Sequence, residues 1–97
     1  MIGFRIDKVS PEFDEQFVAE GGPIVYGGSD AAIKRLEGGE GHHFRIYCGD
    51  GQFVCSGRSL DNDSEDAFAP LDYYASPQYG AVEIRYRRGS TGGYEVL

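Results

Sequence analysis

Ninety-seven residues leave room for one domain and one core, and 16 acids against nine bases give a formal net charge of −7. A charge of that sign disfavours direct contact with nucleic acid or an anionic membrane and points to a cationic partner. No apolar run approaches the roughly 18 residues that cross a bilayer, residues 1–9 lack the apolar stretch of a signal peptide, and two cysteines fall short of the density of small secreted folds, so a cytoplasmic protein with reduced thiols is expected.

Along the chain, Ile2, Phe4 and Ile6 alternate with Gly3, Arg5 and Asp7, the pattern of a half-buried strand. Ser10, Pro11, Glu12, Asp14 and Glu15 have the hydroxyl cap, early proline and acids of a helix start. Phe13 and Phe17 then share a face beside Val18, and Gly21-Gly22 ends this first short helix. Ile24-Val25-Tyr26 is β-prone but too short to classify. Ser29 or Asp30 caps a second helix through Leu36, with Ala32, Ile33 and Leu36 inward and Gly38-Gly39 as the stop.

Asp50-Gly51 suits a two-residue type I′ turn between two strand-forming runs. The resulting register sets Cys48 opposite Phe53 and Ile46 opposite Cys55, so Phe44, Ile46, Cys48, Phe53 and Cys55 all point to the core. The cysteines then lie diagonally, near the upper limit for a disulfide, and free thiols are expected. Residues 60–80, rich in Asp, Asn, Ser, Pro and Gly, read as an irregular packed loop whose Phe68, Leu71, Tyr73 and Tyr74 fold back on the sheet. Val82, Ile84 and Tyr86 alternate with Glu83, Arg85 and Arg87 as a further strand, and residues 89–93 turn it into a last strand ending at Leu97. The expected fold is α+β: one domain over residues 1–97, with an antiparallel sheet of four to five strands and one or two short helices.

Acids fall in two blocks. Between residues 9 and 33 stand Glu12, Asp14, Glu15, Glu20 and Asp30, and between residues 59 and 81 stand Asp61, Asp63, Glu65, Asp66 and Asp72, in both cases with no Lys or Arg. On a helix Glu12, Gln16 and Glu20 share a solvent face. Such rows imitate the spaced negative charge of nucleic acid and fit a cationic groove; the competing reading is a solvated surface that keeps the domain soluble. Tyr73, Tyr74 and Tyr79 adjoin the second block and suit contact anchors. The expected partner-binding residues are Asp61, Asp63, Glu65, Asp66, Tyr73 and Tyr74, with Glu12, Asp14, Glu15 and Glu20 of the first block.

Other chemistries fit poorly. Asp61 to Asp72 approaches a calcium loop, but Asp66 stands where that loop needs glycine and Pro70 where a helix should begin. His42 and His43 are adjacent on a strand and point to opposite faces, and Cys48 and Cys55 lack zinc spacing. No nucleophile elbow or catalytic cysteine signature occurs, and Gly21-Gly22 and Gly27-Gly28 do not form a phosphate-cradling loop. No catalytic residue, metal or cofactor is expected.

The stretches Phe44-Arg45-Ile46-Tyr47 to Gly57-Arg58, Phe68-Ala69-Pro70-Leu71-Asp72 and Glu83-Ile84-Arg85-Tyr86 resemble a pattern in small uncharacterised proteins of bacteria and their phages or plasmids. The resemblance covers the C-terminal half and implies a hairpin, a loop that packs back and an edge strand. In size and acidity the chain is also similar to anti-CRISPR proteins. That similarity implies an inhibitor that binds a basic, nucleic-acid-handling protein such as a Cas effector and blocks nucleic-acid access through acidic patches. Two other readings stand beside it: an assembly module that self-associates, as a homodimer, through a sheet edge at residues 82–86, and a small metal-binding domain.

Overall fold

Alternation at the start of the chain produces strand β1 (Gly3–Val9), which sends Phe4, Ile6 and Val9 into the core. The computed structural model describes residues 1–14, 25–88 and 93–97. In them follow β2 (Val25–Gly28), α1 (Asp30–Glu37), β3 (His42–Tyr47), β4 (Phe53–Ser59), a helical run ending in α2 (Ser76–Tyr79), β5 (Glu83–Arg88) and β6 (Gly93–Val96). The described strands form one antiparallel sheet of order β2-β1-β4-β3-β5-β6. The fold is α+β, with six strands rather than the expected four to five, because Val25 and Tyr26 extend into a strand paired with Ile6 and Arg5.

Helix α1 starts where Ser29 Oγ accepts from the Ala32 N–H at 3.2 Å, and it closes where the Gly38 and Gly39 N–H groups donate to the Lys34 and Leu36 carbonyls. Its Ala32 and Leu36 are buried, with Ile33 half-buried. It lies on the sheet face opposite the main core. Gly3, which alternates with Phe4, faces Ala32 and Leu60 so closely that an added Cβ would come within 2.8 Å of the Ala32 Cβ. Arg58, which alternates with Gly57, donates to the Leu36 and Glu40 carbonyls at 3.2 and 3.0 Å and so satisfies the end of the helix.

The other face carries the core. Phe4, Ile6, Val9, Phe44, Ile46 and Ile84 pack with Tyr86 against Ala67, Ala69, Leu71 and Ala75. Those last four belong to a helical run where an irregular loop is expected from sequence: a 3-10 turn (Glu65–Phe68), a wide π turn (Leu71–Ala75) and α2. Ser64 Oγ caps its start by accepting from Asp66 N–H. Pro77 has no N–H to give the preceding turn, and the chain widens there, Ser76 N–H reaching back five residues to the Leu71 carbonyl. Gly80, at φ 69, ends the run. Tyr86 ties the layers together, its hydroxyl donating to the Ala67 carbonyl at 2.7 Å and its ring edge-on to Phe44 at 5.8 Å.

The hairpin differs from expectation in its turn. Cys48 N–H donates to the Gln52 carbonyl and Gly51 N–H to the Cys48 carbonyl, both at 3.0 Å. Of the loop residues only Gly51 has positive φ, at 80, whereas a type I′ turn needs two. The loop is therefore Gly49-Asp50-Gly51. The extra residue sets Tyr47, not Cys48, opposite Phe53, and the bulge that follows turns both Val54 and Cys55 inward. Phe53 faces away from the core, edge-on to Tyr47 at 6.1 Å. Cys55 is buried and Cys48 half-buried, and both thiols are free.

Residues 11–13 make only a turn, in which the Phe13 and Asp14 N–H groups donate to the Ser10 carbonyl at 2.9 and 3.0 Å. The expected continuation through Phe17, Val18 and Gly21-Gly22 lies outside the described residues. Val82 is 63% exposed rather than inward, its place in the core taken by Ala81. Strand β5 lies between β3 and β6, so residues 82–86 offer no edge for assembly; the edges of the described sheet are β2 and β6.

Gly57 occupies the middle of β4, paired with Ile6 on one side and Phe44 on the other, and an added Cβ would overlap the Arg5 carbonyl oxygen. Gly57→Ala is expected to lose about 3 kcal/mol in urea denaturation, whereas Gly49→Ala, which meets nothing at an ordinary φ, should stay within about 0.5 kcal/mol of the parent.

Candidate functional site

The helical run gives the second acidic block its shape. Glu65, Phe68, Ala69, Asp72 and Tyr73 stand at positions i, i+3, i+4, i+7 and i+8, so they share one face. With Ile2 and Asp66 they line a cleft of about 300 Å³. All of its charged lining side chains are carboxylates. Two large rings stand beside them, Tyr73 at 66% exposure and Phe68 at 37%, although the sequence pattern places both against the sheet. At one end of the cleft the Met1 amine bridges Asp61 and Asp66, at 3.2 and 2.7 Å, and its affinity for its proton is raised by those hydrogen bonds, Asp66 first.

Of the residues expected to bind a partner, the fold gathers Glu65, Asp66 and Tyr73 in the cleft and sets Asp61 beside it. Asp63 is exposed on the adjoining loop, outside the lining. Tyr74 points elsewhere, half-buried, with its hydroxyl 3.0 Å from that of Tyr79, which donates to Asp14 Oδ2 at 3.0 Å. Burial pushes both phenols up, and the Asp14 carboxylate adds to the rise at Tyr79. Asp14 and Tyr74 thus fasten the turn after β1 to α2 rather than facing solvent. Glu12 is exposed, and Glu15 and Glu20 lie outside the described residues. Asp72, Phe68 and Ile2 were missed as lining residues; the helical spacing of residues 65 to 73 is the signal that finds the first two.

A second surface was missed entirely. On the side of the sheet away from the main core, Arg85 lies 4.3 Å over the Tyr47 ring, Arg45 4.3 Å over Tyr94 and Arg5 5.7 Å over Tyr26. Lys8, Arg45, Tyr47, Phe53 and Ser56 line a shallow cleft of about 310 Å³ there. Arg5 pairs with Asp7, and Arg85 with Glu83 at 2.6 Å. Lys8, Arg45 and Arg87 have no carboxylate partner among the described residues. The signal was the same alternation that located the core: Arg45 and Tyr47, and Arg85 and Arg87, are the outward members of β3 and β5.

His42 and His43 are both exposed, with His42 Nδ1 3.3 Å from the Asn62 amide, and among the described residues no cluster of side chains suits a metal ion. No helix among them is long and apolar enough to cross a membrane. Comparison of the chain with protein-family models, with curated proteins and with solved structures finds no match.

Burial raises the Cys55 thiol to about 12 from its ordinary 9.0. In native protein at pH 8, Ellman's reagent should titrate Cys48 alone, and Cys55 only after denaturation. Unfolding returns Cys55 to its ordinary value, so the unfolded chain releases that proton first, and stability should fall as pH rises from 9 toward about 12. Cys55→Ala should flatten that part of an alkaline denaturation series.

Proposed function

We propose that this protein is a non-enzymatic inhibitor, of the anti-CRISPR kind, that occupies the basic surface of a nucleic-acid-handling protein such as a Cas effector through its acidic cleft. The observation that carries this reading is the make-up of that cleft: Glu65 and Asp72 with no Lys or Arg in the lining, beside Asp66 that pairs with the Met1 amine, next to the outward rings of Phe68 and Tyr73. Exposed aromatic anchors beside charge of one sign are what a specific protein contact uses, the rings for buried area and the charge for steering and register. Positive charge at the cleft is confined to its rim, where the Met1 amine pairs with Asp61 and Asp66, Arg35 reaches Met1 Sδ and Arg88 donates to the Asn62 carbonyl; Glu65 and Asp72 pair with none of these.

Asp61 and Asp63 extend the negative surface along the loop that leads into the cleft. A groove built for phosphates would meet carboxylates at Asp63, Glu65 and Asp72 and a flat ring at Tyr73, and bound protein would exclude the nucleic acid. Binding of purified Cas effectors, followed by biolayer interferometry from about 50 to about 200 mM salt, should weaken steeply with salt. Combined Asp63→Lys, Glu65→Lys and Asp72→Lys should weaken it by at least about tenfold, and Tyr73→Ala should act mainly on dissociation. Binding untouched by the triple reversal, or a stable homo-oligomer in sedimentation with no effector bound, would remove the proposal.

A further inference from the structure

The side of the sheet opposite the main core holds an arrangement that the acidic cleft does not explain. Cα partners Lys8–Ser56, Ser56–Arg45 and Arg45–Arg85 place three bases in one row across β1, β4, β3 and β5. The row on one side of it sets Phe53, Tyr47 and Glu83 abreast, and on its other side Arg87 stands opposite Tyr94. From β1 to β6 these five strands span about 19 Å at the usual inter-strand spacing. Arg45 and Arg85 are directly opposite each other, a pairing of like charges that costs a sheet stability. Among the described residues, Arg85 pairs with Glu83, whereas Lys8, Arg45 and Arg87 have no carboxylate partner.

The rings narrow the class of ligand. Arg45 and Arg85 sit over the Tyr94 and Tyr47 rings, and Phe53 adds a ring with no polar group to offer an acidic peptide. A ligand with anions at regular intervals and flat apolar rings between them matches the surface, and single-stranded nucleic acid has that form. The net charge of −7 does not oppose this locally. The acidic cleft belongs to the helical layer across a molecule measuring 30 × 27 × 25 Å, and at physiological salt charge is screened over about 8 Å.

We propose that the open face of the sheet binds single-stranded nucleic acid, with Lys8, Arg45 and Arg87 serving the phosphates and Phe53, beside the Arg85 guanidinium carried on Tyr47, as the stacking platform. This surface is independent of the acidic cleft and does not rest on the inhibitor reading.

Fluorescence anisotropy with labelled oligo-dT and oligo-U tests it. Both strands should bind, with a logarithmic salt slope near −2, at about 0.7 for each of three phosphate contacts. Arg45→Gln should reduce that slope by about 0.7. Phe53→Leu, which keeps the apolar bulk and loses the flat ring, should weaken binding about tenfold with the slope unchanged. Glu65→Gln and Asp72→Asn should leave binding as it is, which separates this surface from the cleft. Failure of the parent protein to bind either strand would overturn the proposal. So would equal displacement by polyglutamate at matched charge, which would assign the face to acidic polypeptides, or a Phe53→Leu variant that binds like the parent.

Discussion

Two-residue alternation in β3 and β5 is the constraint on which the distribution of charge depends. Phe44 and Ile46 on one strand, and Ile84 and Tyr86 on the next, must face the helical run to bury a core, and this leaves Arg45, Tyr47, Arg85 and Arg87 no choice but the opposite side. A slip of one residue would bury the arginines and expose the core, so register and charge placement are fixed together. The buried Tyr86 hydroxyl reinforces this, because only the observed register brings it to the Ala67 carbonyl.

The same logic runs through the helical layer. Ala67, Leu71 and Ala75 follow one another at four-residue intervals on the buried side of the run, in one core cluster with Phe44, Ile84 and Tyr86 of the sheet. Small side chains let the helix approach closely. The large rings of Phe68 and Tyr73 would not fit beneath it and are turned outward among the carboxylates. Close packing of the core and the aromatic character of the acidic cleft are therefore two results of one choice, alanine inside and ring outside.

How far this was legible depended on whether a pattern announced its period. β3 and β5 alternate cleanly, β1 does so as far as the bulge after Ile6, and Ser29 with Gly38 brackets α1, so these elements could be read directly. Residues 60–80 could not, because a stripe built of alanine carries little hydropathy contrast and the conspicuous apolar residues, Phe68 and Tyr73, lie on the exposed side. Reading large aromatics as core residues is a sound prior that this segment reverses. The hairpin failed for a smaller reason: glycine occupies both ends of Gly49-Asp50-Gly51, and sequence alone does not say which of two turns the positive φ at Gly51 serves. One added loop residue then moved Phe53 from the core to the open face. Of the expected binding residues, the fold brings Glu65, Asp66 and Tyr73 together in the cleft and sets Tyr74 and Asp14 on either side of the Tyr79 hydroxyl, a hydrogen-bonded link between distant segments that leaves no trace in local sequence.

Net charge was the least informative quantity, and the reason is geometric. Arg5, Lys8, Arg45, Arg58, Arg85 and Arg87 all leave the sheet on one side, where α1 also carries Lys34 and Arg35, so of the nine bases Arg88 alone stands apart from that side. The sum of −7 averages over two surfaces of opposite sign. A partner approaching within about a Debye length responds to the surface it meets and not to the sum. Oppositely charged faces on one small molecule would favour stacking of copies only if their shapes matched. Here the acidic surface is a cleft between Ile2 and the helical run, and the basic surface is a pleated sheet whose Arg45 and Arg85 sit over the Tyr94 and Tyr47 rings. The guanidiniums held on Tyr47 and Tyr94 are suited to a ligand that lies along the sheet, and poorly suited to reaching into a cavity.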